Sequence, residues 1–192
     1  MIGYPTKKKI KSVSKPVETA RRGLSFEEDI NQSNAVFLDR DLAVIHKKPT
    51  PITIVKVDYP SRQKAKITEA YFKIPSTTDY NGVYKGKAIV FEAKDSANRT
   101  SFSLSNIHPH QIKHMQQVKA HGGLSFLLIR FSSLNETYYL SIDKLTEFTP
   151  THERRSWPEA WINENGILIP YHYLIPVNYL TVLDRLLGES HD

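Results

Sequence analysis

A chain of 192 residues with 40% hydrophobic content is long enough for one ordinary domain with a buried core. Lacking cysteine, it can hold no disulfide, thiol nucleophile or Cys-ligated zinc, and no apolar run approaches the ~20 residues of a membrane span. The net charge of +6 resides in residues 1–23, with seven Lys/Arg against Glu18, leaving 19 basic and 19 acidic residues beyond.

The neutral remainder is still sorted by sign. Residues 42–87 hold nine basic and three acidic residues, whereas 131–192 hold four basic and nine acidic. A basic tail plus a basic middle points to a polyanion partner, with a plain solvated face as the alternative. The N-terminus has no apolar signal-peptide core, and we expect a cytoplasmic protein.

Residues 1–23 are polar and basic, and we expect a flexible tail ahead of a single domain spanning 24–192. An amphipathic helix starts after Ser25, which can cap it, with Glu28 completing a capping box and Phe26, Ile30 and Phe37 near one face. A short strand follows over 42–46. Pro49-Thr50-Pro51 interrupts the chain before Ile52–Val57, which alternates with period two. Residues 58–75 are basic, with aromatics at their far end, and suit a protruding arm. Asp79 to Lys94 predicts a strand–turn–strand with Lys85-Gly86 near the turn. Asn98–His108 is loop-like, and Pro109 opens a helix that runs to Gly122-Gly123. Buried strands follow at 124–131 and 137–140. Residues 146–165 look irregular, 167–169 form a strand, and a closing helix over 178–187 stops at Gly188. The order predicts a mixed α/β layer protein with a central sheet.

The chemistry concentrates between Thr77 and Lys94. Phosphodiester hydrolysis needs an activated water and charge stabilisation at the transferring phosphoryl group, and Mg²⁺ supplies both through hard oxygen ligands. Asp79 and Glu92 offer the carboxylates, and Glu92 is read as closing an apolar strand. Lys94 shares a strand face with Glu92, where it can orient water and stabilise developing negative charge. Thr77, placed on the same strand face as Asp79, and Gln111, on the first turn of the following helix, offer further oxygens; Glu27 could reach in from the first helix. Each also has an ordinary reading: an ion pair for Glu92, a plain strand residue for Thr77, a solvent-facing helix position for Gln111, and a helix-dipole acid for Glu27. His110 and His114 share a helix face, but no HExxH glutamate follows and zinc would want a third ligand, so solvated or DNA-facing histidines fit better. Neither a GxxxxGK loop nor a serine elbow is present.

The pattern Asp79…Glu92-Ala93-Lys94 resembles the PD-(D/E)xK nuclease signature. The longer runs Ala43–Pro51, Ala70–Lys73, Ser76–Gly86, Phe91–Lys94 and His110–Met115 resemble the RecU family of Holliday-junction resolvases, over about residues 22–145. Thr78 stands where the generic signature has proline, as is usual in that group. The resemblance implies a restriction-endonuclease-like mixed β-sheet flanked by helices. It implies a homodimer that cuts four-way DNA junctions by paired symmetric nicks in recombination and repair, with one or two Mg²⁺ per subunit. Thr77, Asp79, Glu92 and Gln111 would form the metal shell and Lys94 the transition-state stabiliser. The segment around 52–75 would be a stalk presenting Arg62, Lys64, Lys66 and Phe72 to DNA. The setting would be the bacterial nucleoid, with recombinase or branch-migration proteins as further partners. Two other readings compete: a non-catalytic junction-binding module, and a restriction-type endonuclease acting on linear duplex. No role is carried over beyond about residue 146.

Overall fold

The structure, a computed structural model, describes residues 25–73, 77–148 and 155–188. The tail expected over 1–23 lies outside the described residues, as do 74 and 75 at the end of the expected stalk.

Helix α1 (Phe26–Asp39) begins at the capping box the sequence forecasts. The Glu28 backbone N–H donates to the Ser25 hydroxyl at 3.2 Å, and the Ser25 N–H donates to Glu28 Oε2 at 2.6 Å. Its buried Phe26, Ile30 and Phe37 pack on the sheet. Strand β1 (Val44–Lys47) follows, and then β2 (Ile52–Asp58) and β3 (Lys66–Phe72) pair as a separate antiparallel ribbon. Every residue of that ribbon is exposed, so backbone pairing rather than a core holds it. Strands β4 (Tyr80–Tyr84) and β5 (Lys87–Ser96) form the expected hairpin. Its two-residue turn has positive φ at both Lys85 (47°) and Gly86 (72°), the backbone twist that matches the strands it joins.

Strand β6 (Ser101–Ser103), a 3₁₀ turn over Leu104–Asn106 and helix α2 (Pro109–Ala120) lead to β7 (Leu124–Phe131). Next come β8 (Glu136–Ser141), α3 (Ile142–Phe148), β9 (Ser156–Pro158), α4 (Glu159–Asn165), β10 (Ile167–Ile169) and α5 (Leu180–Leu186). The main sheet has the order β1-β4-β5-β7-β8-β10. Only β5 and β7 run parallel, as the crossover through α2 between them requires. Strand β7 is buried along nearly its whole length because it is covered on both faces. Phe126 and Leu128 join the core beneath α1 and α5; Leu127, Ile129 and Phe131 join the core beneath α2, α3 and α4. This mixed sheet flanked by helices is consistent with the restriction-endonuclease-like fold. No helix among the described residues is long and apolar enough to cross a membrane.

Several sequence expectations are corrected. The irregular reading of 146–165 gives way to the end of α3, then β9 and α4. Trp157 was hard to place from its neighbours because its burial is tertiary: β9 pairs with the distant β6, and Trp157 stacks on Phe102 at 5.8 Å. For the same reason the loop-like 98–108 contains β6 and the 3₁₀ turn. Glu92 lies inside β5 rather than at its end, because the strand continues through Lys94 to Ser96 beside β7. Thr77 and Asp79 precede β4 and sit in bends, so strand alternation does not relate them.

Candidate active site

Alternation along β5 sorts its side chains. Ile89 and Phe91 enter the core under α1, while Val90 enters the core under α2. Glu92 and Lys94 follow Val90 in period, so they point to the α2 side. The β4–β5 register pairs Tyr80 with Phe91, which sets Asp79 opposite Glu92.

The contacts are close. The Asp79 backbone N–H donates to Glu92 Oε1 at 2.8 Å. Lys94 Nζ lies 2.9 Å from Glu92 Oε2 and 3.7 Å from Asp79 Oδ2. Glu92 is 0% exposed, whereas the Asp79 side chain is 40% exposed and faces the cleft. Among the described residues, Oε2 of Glu92 has this ion contact but no well-aligned hydrogen bond. Burial pushes the Glu92 carboxyl up to about 7, against the opposing pull of the Lys94 ammonium; Asp79 adds to the rise. A buried carboxylate with an incompletely satisfied oxygen is poised to accept a cation.

Gln111 comes to the same place from α2. It is buried, and its Oε1 accepts the His108 N–H at 2.9 Å. An amide oxygen has a second lone pair, so this cap leaves it able to serve as a ligand. Phe72, Asp79, Lys94, His108, His110 and Gln111 all line one open cleft of about 650 Å³. Thr77 is half-buried two residues before Asp79.

Glu27 and the basic residues of the ribbon do not line this cleft. Glu27 pairs with Lys47 at 2.5 Å on the α1 side of the sheet. The Tyr80 hydroxyl is raised by burial first and then by Glu27, Asp79 and Glu92. Arg62 and Lys64 occupy the turn of the ribbon and Lys66 opens β3, while Phe72 stands 84% exposed at the ribbon's base on the cleft.

Sequence reasoning missed Lys48. Its backbone N–H donates to the Asp79 carbonyl at 2.7 Å, tying the end of β1 to the loop that carries the carboxylate. No local signal points to it, because Lys48 lies just past β1 and its place depends on the pairing of β1 with β4.

A divalent cation fits this arrangement. The described residues contain no cluster of three or more His, Cys, Asp or Glu that could hold a metal. Asp79 and Gln111 line the cleft, the buried Glu92 lies behind Asp79 and Lys94, and Thr77 is two residues before Asp79, so two carboxylates and two neutral oxygens are at hand. That is a donor set for a hard cation which keeps several waters and takes further oxygens from a phosphate.

Comparison with known proteins agrees with the geometry. Residues 21–185 match the family model described as "Recombination protein U" (RecU). Three proteins named "Holliday junction resolvase RecU" are closely similar. That of Geobacillus kaustophilus (strain HTA426) is 51% identical over 170 residues, covering 87% of this chain and 85% of its own. That of Bacillus cereus (strain B4264) is 47% identical over 195 residues, covering 96% and 98%. That of Streptococcus sanguinis (strain SK36) is 50% identical over 195 residues, covering 98% of each. With the family model spanning most of the chain, and the nuclease-type carboxylates and lysine gathered at one cleft, this chain belongs to the RecU family.

Proposed function

We propose that this chain is a structure-selective DNA endonuclease that cuts Holliday junctions by paired symmetric nicks during recombination and repair. The observation that carries the reading is the convergence of Asp79, Glu92 and Lys94 on one cleft beside a basic ribbon. The relatives' shared name supplies the substrate.

Asp79 and Glu92 would hold Mg²⁺, one or two ions per subunit, with Gln111 and Thr77 completing the shell. Bound there, the metal supplies an activated water and neutralises charge on the transferring phosphoryl group. The remaining work falls to the chain itself. Glu92 is fixed by the Asp79 N–H, so the ligand arrives preorganised. Lys94, held between the two carboxylates, places an ammonium where negative charge develops on the scissile phosphate. Glu27 acts as outer support through its ion pair with Lys47.

Arg62, Lys64, Lys66 and Phe72 would engage the junction from the ribbon, which acts as a stalk. Phosphate contacts there set affinity, and selectivity comes from the junction's shape. A four-way junction presents two symmetric strands, so a C₂ homodimer places two equivalent sites on it. The ribbon's exposed Val55 and Tyr71 offer apolar surface for recombinase or branch-migration proteins. The domain plan is a basic tail over 1–23 and one nuclease domain over 24–192, working in the cytoplasm at the nucleoid.

The test is Asp79→Asn. The variant should retain junction binding by gel shift while cleavage falls at least about a hundredfold. Cleavage at the wild-type rate would sink the reading.

A further inference from the structure

The second lysine of the pair Lys47-Lys48 has no assigned role. Lys47 is the last residue of β1 and Lys48 is the first beyond it. Lys47 follows the period of buried Ile45 and pairs with Glu27 of α1. Lys48 is half-buried just past the strand, near enough to His114 of α2 for their charges to interact. Its backbone bond to Asp79 places it directly beside the carboxylate loop.

The ammonium of Lys48 is close enough to feel both Glu92 and Asp79, and His114 of α2 feels it in turn. Yet no carboxylate among the described residues lies within ion-pair distance of Lys48, and its side chain makes no hydrogen bond among them. Its side chain is half-buried. Lys94, by contrast, is fully engaged with both acids. A partly desolvated ammonium without a partner costs free energy that an arriving anion can recover. A divalent cation held by Asp79 and Glu92 would repel Lys48 further, so the anion has to come with the substrate.

We propose that Lys48 is a substrate-binding residue that grips a phosphate of the cut strand next to the scissile one. This inference rests on the nuclease reading of the same cleft. Lys94 and Lys48 then divide the labour: Lys94 serves the phosphate under attack, and Lys48 holds its neighbour from the β1 side. Such a contact fixes the register of the strand across the carboxylates.

The experiment measures junction affinity of the full chain in metal-free buffer across a salt series, for wild type, Lys48→Gln and Lys48→Arg. Losing one phosphate contact per subunit, two per dimer, should weaken binding at least about tenfold and lower the slope of log K against log salt by about 1.4–1.8. Lys48→Arg should keep the slope, because the charge remains. A junction carrying one methylphosphonate beside the nick should weaken wild-type binding but leave Lys48→Gln binding where it already stood. Lys48→Met, which keeps the alkyl stem, repeats the measurement if the glutamine variant does not fold. An unchanged slope in a folded variant overturns the inference, as does a loss of cleavage at saturating protein without a loss of affinity. Wild-type protein that binds junctions without nicking them with Mg²⁺ would instead strike at the nuclease reading, independently of what Lys48 does.

Discussion

Glu92 is the residue on which the site turns. Its carboxyl is 0% exposed and pushed up to about 7 by burial, against an ordinary 4.5. A carboxyl raised in this way keeps a proton in the folded state that the unfolded chain has already released. Metal-free protein therefore loses stability as pH rises from about 4.5 through about 7, by up to about 3 kcal/mol. Its melting temperature should fall between about pH 5.5 and about pH 8, and Glu92→Gln should flatten that slope. Mg²⁺ should raise the melting temperature more at the higher pH, where Glu92 is ionised and free to bind it. A wild type and a glutamine variant with parallel pH profiles would contradict this assignment. That Glu92 and Lys94 share a face was legible from sequence, because strand period alone sets them there, and the structure brings Asp79 to both. Lys48 was not, since its meaning depends on which strand β1 pairs with.

At the scale of elements, two features position the site. The first is the close approach of β1 to β4. A Cβ at Gly82 would stand 2.1 Å from the Val44 carbonyl oxygen and 2.7 Å from Ile45 Cα. Gly82→Ala should therefore push β1 outward, destabilise the fold by about 1–3 kcal/mol, and disturb the Lys48–Asp79 link; thermal melting reads the first effect. The second is the ribbon of β2 and β3. With every residue exposed, its basic side chains contribute little to folding. Replacing Arg62, Lys64 and Lys66 together by alanine should leave the melting temperature within about 1 °C while lowering the salt slope of junction binding by about 4–5, for three contacts from each subunit of the dimer. A large drop in stability with an unchanged slope would assign the ribbon a structural role instead. The sequence showed β2 by its alternation. It hid β3, whose residues have no buried face, and it hid β9 and α4, whose burial comes from distant partners such as Phe102 and Phe148.

For the whole molecule, charge and shape act together. A six-stranded sheet buries Glu92 behind the partly exposed Asp79, α2 closes one side of the cleft, and the ribbon stands apart from the core with its basic turn. A symmetric substrate asks for two such units, so at micromolar concentration we expect a dimer by light scattering, and monomers throughout would argue against paired nicking. The most direct measurement incubates the full chain with a mobile four-way junction and a matched linear duplex, with and without Mg²⁺, and maps every nick. The expected result is Mg²⁺-dependent nicks at symmetric positions on two opposing strands of the junction, with the duplex left largely intact. Equal cleavage of linear duplex, or no cleavage of either DNA with Mg²⁺, would contradict the assignment.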